Sequence, residues 1–198
     1  MDRAELKRRA RAQLGGKIFG SAWLYAVLVM LIFGVVGYVI NLLPMVSWLV
    51  MLLIMGPLSY GVSYLFLKQA RDGEAMQMGD LLKGFREDLS GTFLLGLMTG
   101  LFTVLWGLLL VIPGIIAQMS YAMVFYIKID HPEYGWNECI QASKQMMMGH
   151  KAEFFVLELS FIGWYIVGGL CLGVGSLWVA AYQNAAEAQF YEQLKTGY

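Results

Sequence analysis

The chain has 198 residues, 59% hydrophobic and only 14% charged, with 14 basic against 14 acidic side chains. A soluble domain carries about 25% charged residues, so a globule surrounded by water could not hide this much apolar surface. A formal net charge of zero excludes general nucleic-acid binding, and no stretch reads as a linker between two domains, so residues 1–198 are taken as a single membrane domain.

Residues 1–17 are the most basic part of the chain, with Arg3, Lys7, Arg8, Arg9, Arg11 and Lys17 around Leu6, Ala10 and Leu14 at helical spacing. The pattern predicts a short interfacial helix drawn to anionic headgroups, with these six cations as its lipid contacts. A secretory signal peptide shares the basic start, but the apolar run over 18–40 exceeds an h-region of about 7–15 residues and no A-x-A site follows it. That run is read as the first span. Residues 41–44 turn the chain and 47–67 form the second span, which Pro57 is expected to kink. The polar stretch 68–91 contains a short amphipathic piece around Leu81, Leu82 and Phe85, with Asp80 as its candidate N-cap.

A third span is expected over 92–112 and a fourth over 115–129. The hairpin turn between them falls at Pro113 and Gly114, because Pro lacks the backbone donor and Gly tolerates positive φ. The fourth is short: fifteen residues of helix cover about 22 Å against a core of about 30 Å, so a re-entrant segment is the alternative to a full crossing. Residues 130–149 form an amphipathic helix with Trp136, Cys139, Ile140, Ser143, Met146 and Met147 on its apolar face. Asp130 and Glu133 have capping-box spacing, Pro132 suits a first turn and Gly149 suits the end. The helix could lie on the inner leaflet with Trp136 at headgroup level, or pack as a lid on the bundle. Spans at 152–170 and 176–190, joined through Gly173 to Gly175, complete the chain. The fold class is thus an all-α polytopic membrane bundle: six spans as three hairpins, with amphipathic interfacial helices on the cytoplasmic side. With both termini cytoplasmic, all 14 basic residues fall on inner segments and none on the three outer turns, as the positive-inside rule requires.

On the third span Gly96, Gly100, Thr103 and Gly107 make one stripe of small residues, a helix-packing face serving either this chain or a homodimer. Glu158 lies about 10 Å into the fifth span, where an ionised carboxylate is expensive. With Gln118 of the fourth span and Gln183, Asn184 and Glu187 of the sixth it makes a candidate intramembrane polar site. The readings are a protonatable or ion-coordinating group, or a carboxylate paired with a basic residue. Pro57 before Ser63-Tyr64 and Pro113 before Ser120-Tyr121 suggest a faint internal repeat. His131 and His150 lack a second ligand at i+3 or i+4, the two cysteines form no CxxC pair, and no hydrolase or P-loop pattern occurs. No cofactor, metal or catalytic residue is expected, and enzyme is the disfavoured class.

The order of motifs resembles a known family. The stretch from Trp106 through Val111-Ile-Pro-Gly-Ile-Ile116, Ser120-Tyr121-Ala-Met123, Asp130-His-Pro132, Ser143, Met148-Gly-His-Lys151 and Leu159-Ser-Phe-Ile-Gly-Trp164 is similar to domain-of-unknown-function family 975. The opening Arg3 to Leu14, Gly56-Pro57-Leu58 and Phe190-Tyr191 resemble it too. The resemblance implies a multi-pass protein of the bacterial cell membrane, distantly similar to the membrane domain beside some glycerophosphodiester phosphodiesterases, and supplies no catalytic residues. Two functions are expected from the residues: a non-enzymatic module binding membrane lipid or a partner protein at the inner face, or a small transporter or channel using Glu158.

Overall fold

The structure, a computed structural model, describes residues 3–15, 20–41, 47–73, 75–170 and 174–196, and among them it is all-helical with no strand. The helices are α1 (Arg3–Gln13), α2 (Ser21–Asn41), α3 (Ser47–Asp72), α4 (Lys83–Arg86), α5 (Leu89–Leu109), α6 (Val111–Tyr121), α7 (Val124–Asp130), α8 (Trp136–Met146), α9 (Lys151–Leu170) and α10 (Val174–Thr196), with a 3₁₀ segment at Met78–Leu82 before α4. Four segments, Ser21–Tyr38, Leu89–Leu108, Val111–Asp130 and Lys151–Gly169, are long and apolar enough to cross a membrane. Large apolar side chains along them face outward, among them Val35, Val104, Leu108, Ile162 and Ile166. Exposed in such numbers, they demand a covering other than water.

Helix α10 is the hub, touching α1, α2, α3 and α9. Ala181, Ala185, Ala186 and Ala188 are 0% exposed, and small residues let the neighbouring backbones come close, where van der Waals contact provides most of the cohesion. Its polar residues, among them Gln183, Asn184 and Glu187, keep it out of the four apolar segments. Helix α5 lies between α3 and α6. A Cβ on Gly96 would stand 2.5 Å from Gly56 Cα in α3, and one on Gly114 would stand 2.8 Å from Gly107 Cα in α5. Gly96 and Gly107 therefore pack within the chain. Gly100 has nothing within 4 Å, and the Thr103 hydroxyl donates to Thr99 O at 2.8 Å.

Several expected boundaries move. The turn between α5 and α6 is not at Pro113-Gly114. It is at Leu110, whose extended φ of −163° separates the two helices. Pro113 sits in the first turn of α6, where a missing N–H costs nothing, and the Gly114 N–H bonds Leu110 O at 3.2 Å. The apolar segment is thereby lengthened to the 20 residues of Val111–Asp130, broken at Ala122-Met123 between α6 and α7. Helix α3 continues through Pro57. Asp80 caps nothing and pairs with Lys68 at 3.4 Å. The cap of α5 is Asp88, which accepts from Gly91 N at 2.8 Å, so that helix starts three residues before the expected Thr92. The amphipathic helix starts at Trp136, not Asp130: Glu138 reaches back to Gly135 N at 2.6 Å, and Pro132 lies in the preceding turn. Gly149 follows the helix with φ +84°. Helix α10 begins at Val174 and takes in Gly175, and Gly173, the first residue of the expected turn, lies outside the described residues, as does Cys171.

Candidate functional site

The sequence assembles its polar cluster around α10. Gln183 donates to Glu158 of α9 at 2.5 Å and accepts from the Tyr165 hydroxyl at 2.6 Å, so one amide ties two turns of α9 to the hub. Its amide also lies beside Glu187, one turn further along α10. The second oxygen of Glu158 is buried and has no hydrogen-bond partner, and among the described residues no cation pairs with this carboxylate. Asn184 is turned elsewhere: its amide donates to Ala180 O at 2.9 Å and meets Met30 Sδ at 3.7 Å. Asn184 and Glu187 line a cavity of about 240 Å³ with Phe33, Ser63 and Tyr126. Of the five residues expected together, Glu158, Gln183 and Glu187 gather here, and Asn184 shares only the cavity wall with Glu187. Gln118 does neither: it is exposed on the outward face of α6. Tyr165, Ser63 and Tyr126 were missed, since two lie on distant elements and Tyr165 reads as one more apolar residue of α9.

Helix α1 packs along the bundle. Leu6, Ala10 and Leu14 are at most 1% exposed because their stripe packs lengthwise on α10. The Tyr182 hydroxyl donates to Lys7 O at 2.9 Å, and Gln189 donates to the Gln13 side chain at 2.9 Å. Contacts six residues apart on one helix and seven on the other make the two run parallel. Lys7 is drawn in, with its ammonium 4.5 Å from the centre of the Phe161 ring. Arg3, Arg8, Arg9 and Arg11 stay exposed, Arg8 and Arg9 pairing with Glu5 at 2.7 and 2.9 Å. Lys17 lies outside the described residues. Trp136 is half-buried, its ring 6.3 Å from that of Phe102.

At the C-terminal end of α10 a charged junction closes the bundle. Asp130 accepts both guanidinium nitrogens of Arg71 at 2.6 and 2.8 Å, the Lys195 ammonium at 2.8 Å and the Tyr191 hydroxyl at 2.7 Å. Arg71 also donates to Glu192 at 2.6 Å. Nearby, the buried Lys128 ammonium donates to Pro132 O and Tyr134 O and pairs with Asp88 at 2.9 Å. Burial pushes the Asp88 carboxyl up, but the Lys128 ammonium and the Gly91 N–H outweigh it and hold the group below its ordinary value.

Helix α8 packs on α5, α6 and α7. Cys139 and Ser143 are fully buried, burial pushes the Cys139 thiol up to about 11, and Ser143 bridges Ser120 O and Met123 N across the α6–α7 break. The faint repeat gains a structural counterpart: Lys83 stands 3.9 Å from the Tyr64 ring and Lys144 stands 5.6 Å from the Tyr121 ring. Each Ser-Tyr pair is thus covered by a lysine from the short amphipathic element that follows it. His131 and His150 bind Glu133 and Glu153 at 3.1 and 3.0 Å, and no group of three metal-ligating side chains exists among the described residues.

Compared with known proteins, the chain matches the family described as Protein of unknown function (DUF975) over residues 1–113 and 107–197. No curated protein and no solved structure matches it. The chain belongs to this family.

Proposed function

We propose that the chain is a multi-pass protein of the bacterial cell membrane, with six spans in three hairpins and both termini cytoplasmic, acting as a non-enzymatic module that binds anionic lipid or an acidic partner at the inner face. The observation that carries this reading is the division of α1: its Leu6, Ala10 and Leu14 stripe is buried on α10 while Arg3, Arg8, Arg9 and Arg11 remain exposed. A cationic face held by a buried stripe is presented at little further entropic cost, and long arginine stems can carry their heads to the headgroup layer. The orientation is supported by the absence of basic residues from the three outer turns. Purification in mild detergent, with identification of the lipid and protein carried along, tests it. Wild type should hold anionic phospholipid or an acidic protein in excess of the surrounding membrane, and the Arg8→Gln, Arg9→Gln, Arg11→Gln triple variant should hold clearly less of it. Identical cargo in both would refute the proposal.

The buried cluster favours a second reading, a small transporter or channel. Glu158 with one unsatisfied oxygen, the Gln183 bridge and the adjoining cavity of about 240 Å³ place ionisable groups inside the bundle, where such residues mark substrate or ion pathways. It requires proton or substrate flux in proteoliposomes that Glu158→Gln abolishes; full flux in that variant would remove Glu158 from any mechanism.

A further inference from the structure

We infer that the groove between α6, α8 and α9 holds one anionic phospholipid, its headgroup on Lys144 and Lys151 and an acyl chain along α6. This deepens the lipid-binding proposal and rests on that reading. The groove encloses about 360 Å³. Trp106, Pro113, Ile116 and Ala117 form its apolar wall, and Lys144 and Lys151 are its only cations. The two kinds of residue are separated along the groove. Pro113 lies in the first turn of α6 and Tyr121, over whose ring Lys144 sits, ends that helix. Eight residues of helix between them cover about 12 Å. An apolar channel of that length with positive charge at one end has the polarity of one phospholipid. Neither lysine has an ion pair among the described residues, and the nearby Glu153 carboxylate is held by His150 at 3.0 Å.

The repeat supplies a second argument. In the first unit Pro57 stands where Pro113 stands in the second, with its Ser-Tyr pair six residues on rather than seven. Pro57 and the neighbouring Gly61 are covered by the chain itself: a Cβ on Gly61 would strike the Leu81 backbone, and one on Gly84 would strike the Pro57 backbone. In the second unit α8 attaches lower, through Ser143 at Ser120 and Met123, and Pro113 and Ala117 are left as groove wall. Trp106 and Ile116 there are 45% and 49% exposed. What protein fills in one unit, a lipid chain fills in the other, and the two lysines select a negative headgroup.

Native mass spectrometry of the detergent-purified protein titrated with phosphatidylglycerol or phosphatidylcholine tests the inference. Wild type should retain one phosphatidylglycerol in preference to phosphatidylcholine and in the presence of millimolar inorganic phosphate. Lys144→Gln with Lys151→Gln should weaken retention about thirtyfold, the combined worth of two lysines at a headgroup, whereas the α1 triple variant should keep this lipid. Equal retention by the double variant, or equal binding of phosphatidylcholine, would overturn the groove while leaving the membrane reading intact; a protein that stays dissolved without detergent would overturn that reading instead. Should the double variant fail to fold, wild type decides: acyl-brominated phosphatidylglycerol should quench tryptophan emission, and the quenched fraction should fall in Trp106→Phe. Unchanged quenching in Trp106→Phe would refute occupancy of the groove.

Discussion

The Asp130 junction offers the sharpest test of how the bundle is closed. Its carboxylate is 9% exposed and receives two bonds from Arg71, itself 27% exposed, one from Lys195, which is 48% exposed, and one from Tyr191. Asp130→Asn preserves shape and one acceptor but removes the charge and half of the bidentate pair. A hydrogen bond to a charged group contributes about 1.5–3 kcal/mol, breaking a buried pair costs about 3–5 kcal/mol, and an exposed partner such as Lys195 adds less than about 1 kcal/mol. With Arg71 partly solvated, the expected loss is about 3 kcal/mol, a fall of about 6–12 °C in the midpoint for a chain of this length. Thermal unfolding in dodecyl maltoside, followed by size-exclusion of the surviving monodisperse fraction, measures it. Arg71→Gln in the Asp130→Asn background should cost at least about 1 kcal/mol less than in wild type, since the two act through one contact. A shift for Asp130→Asn under about 2 °C, or strict additivity of the pair, would refute the reasoning. Glu133→Gln, which touches only the exposed His131 pair, should change the midpoint by less than about 2 °C.

Gly96→Leu should destabilise by at least about 2 kcal/mol, because its Cβ meets the Gly56 backbone and α3 and α5 must part, whereas Gly100→Ala, with open space around it, should be neutral or slightly stabilising in the same thermal assay. The depressed Asp88 group gives a pH dependence with a definite sign: stability from the Lys128 pair and the α5 cap is fully present above the ordinary carboxylate value of about 3.9 and is lost as pH falls through the lower folded value. A midpoint that is flat from about pH 5 to 8 and declines more steeply below pH 4 in wild type than in Asp88→Asn is expected; equal slopes would exclude the group. A cysteine introduced at Lys83 should be protected from impermeant maleimide in intact cells and labelled after permeabilisation, and labelling from outside would overturn the orientation.

Much of the helix content was legible because an apolar run flanked by charge has few alternatives, and the buried face of α8 followed from three- and four-residue spacing. The polar cluster was legible for a different reason: in a bundle without charges to spare, Glu158, Gln183 and Glu187 have few partners besides one another. Gln118 shows where that logic stops. In a water-soluble helix polarity marks the outside, but along spans such as α5 and α9 both faces are apolar, so composition cannot say which side meets protein and which meets lipid. The same ambiguity hid the lengthwise seat of α1, since Leu6, Ala10 and Leu14 fit a bilayer surface as well as they fit the alanine face of α10. The hairpin turn was misplaced because Pro and Gly were weighed as breakers, when Pro113 is tolerated in a first helical turn and Gly114 serves contact with Gly107.

What could not be read at all are the features built by residues far apart in sequence. Arg71, Asp130, Tyr191 and Lys195 sit on three helix ends and carry no shared motif, and the cap at Asp88 looks like any acidic residue in a polar loop. The groove belongs to the same class, because Pro113, Ala117, Lys144 and Lys151 come together only when α8 folds back over the α6–α7 break. Its one trace in the sequence is the recurrence of Pro and Ser-Tyr, which marks two comparable units. The difference that matters, protein cover over Pro57 and none over Pro113, lies in how Gly61 and Gly84 admit backbone contact in one unit while the Ser143 bridge holds α8 lower in the other. Two comparable units closed by different means leave an apolar wall beneath a pair of cations in one of them, and the proposed lipid site rests on that asymmetry.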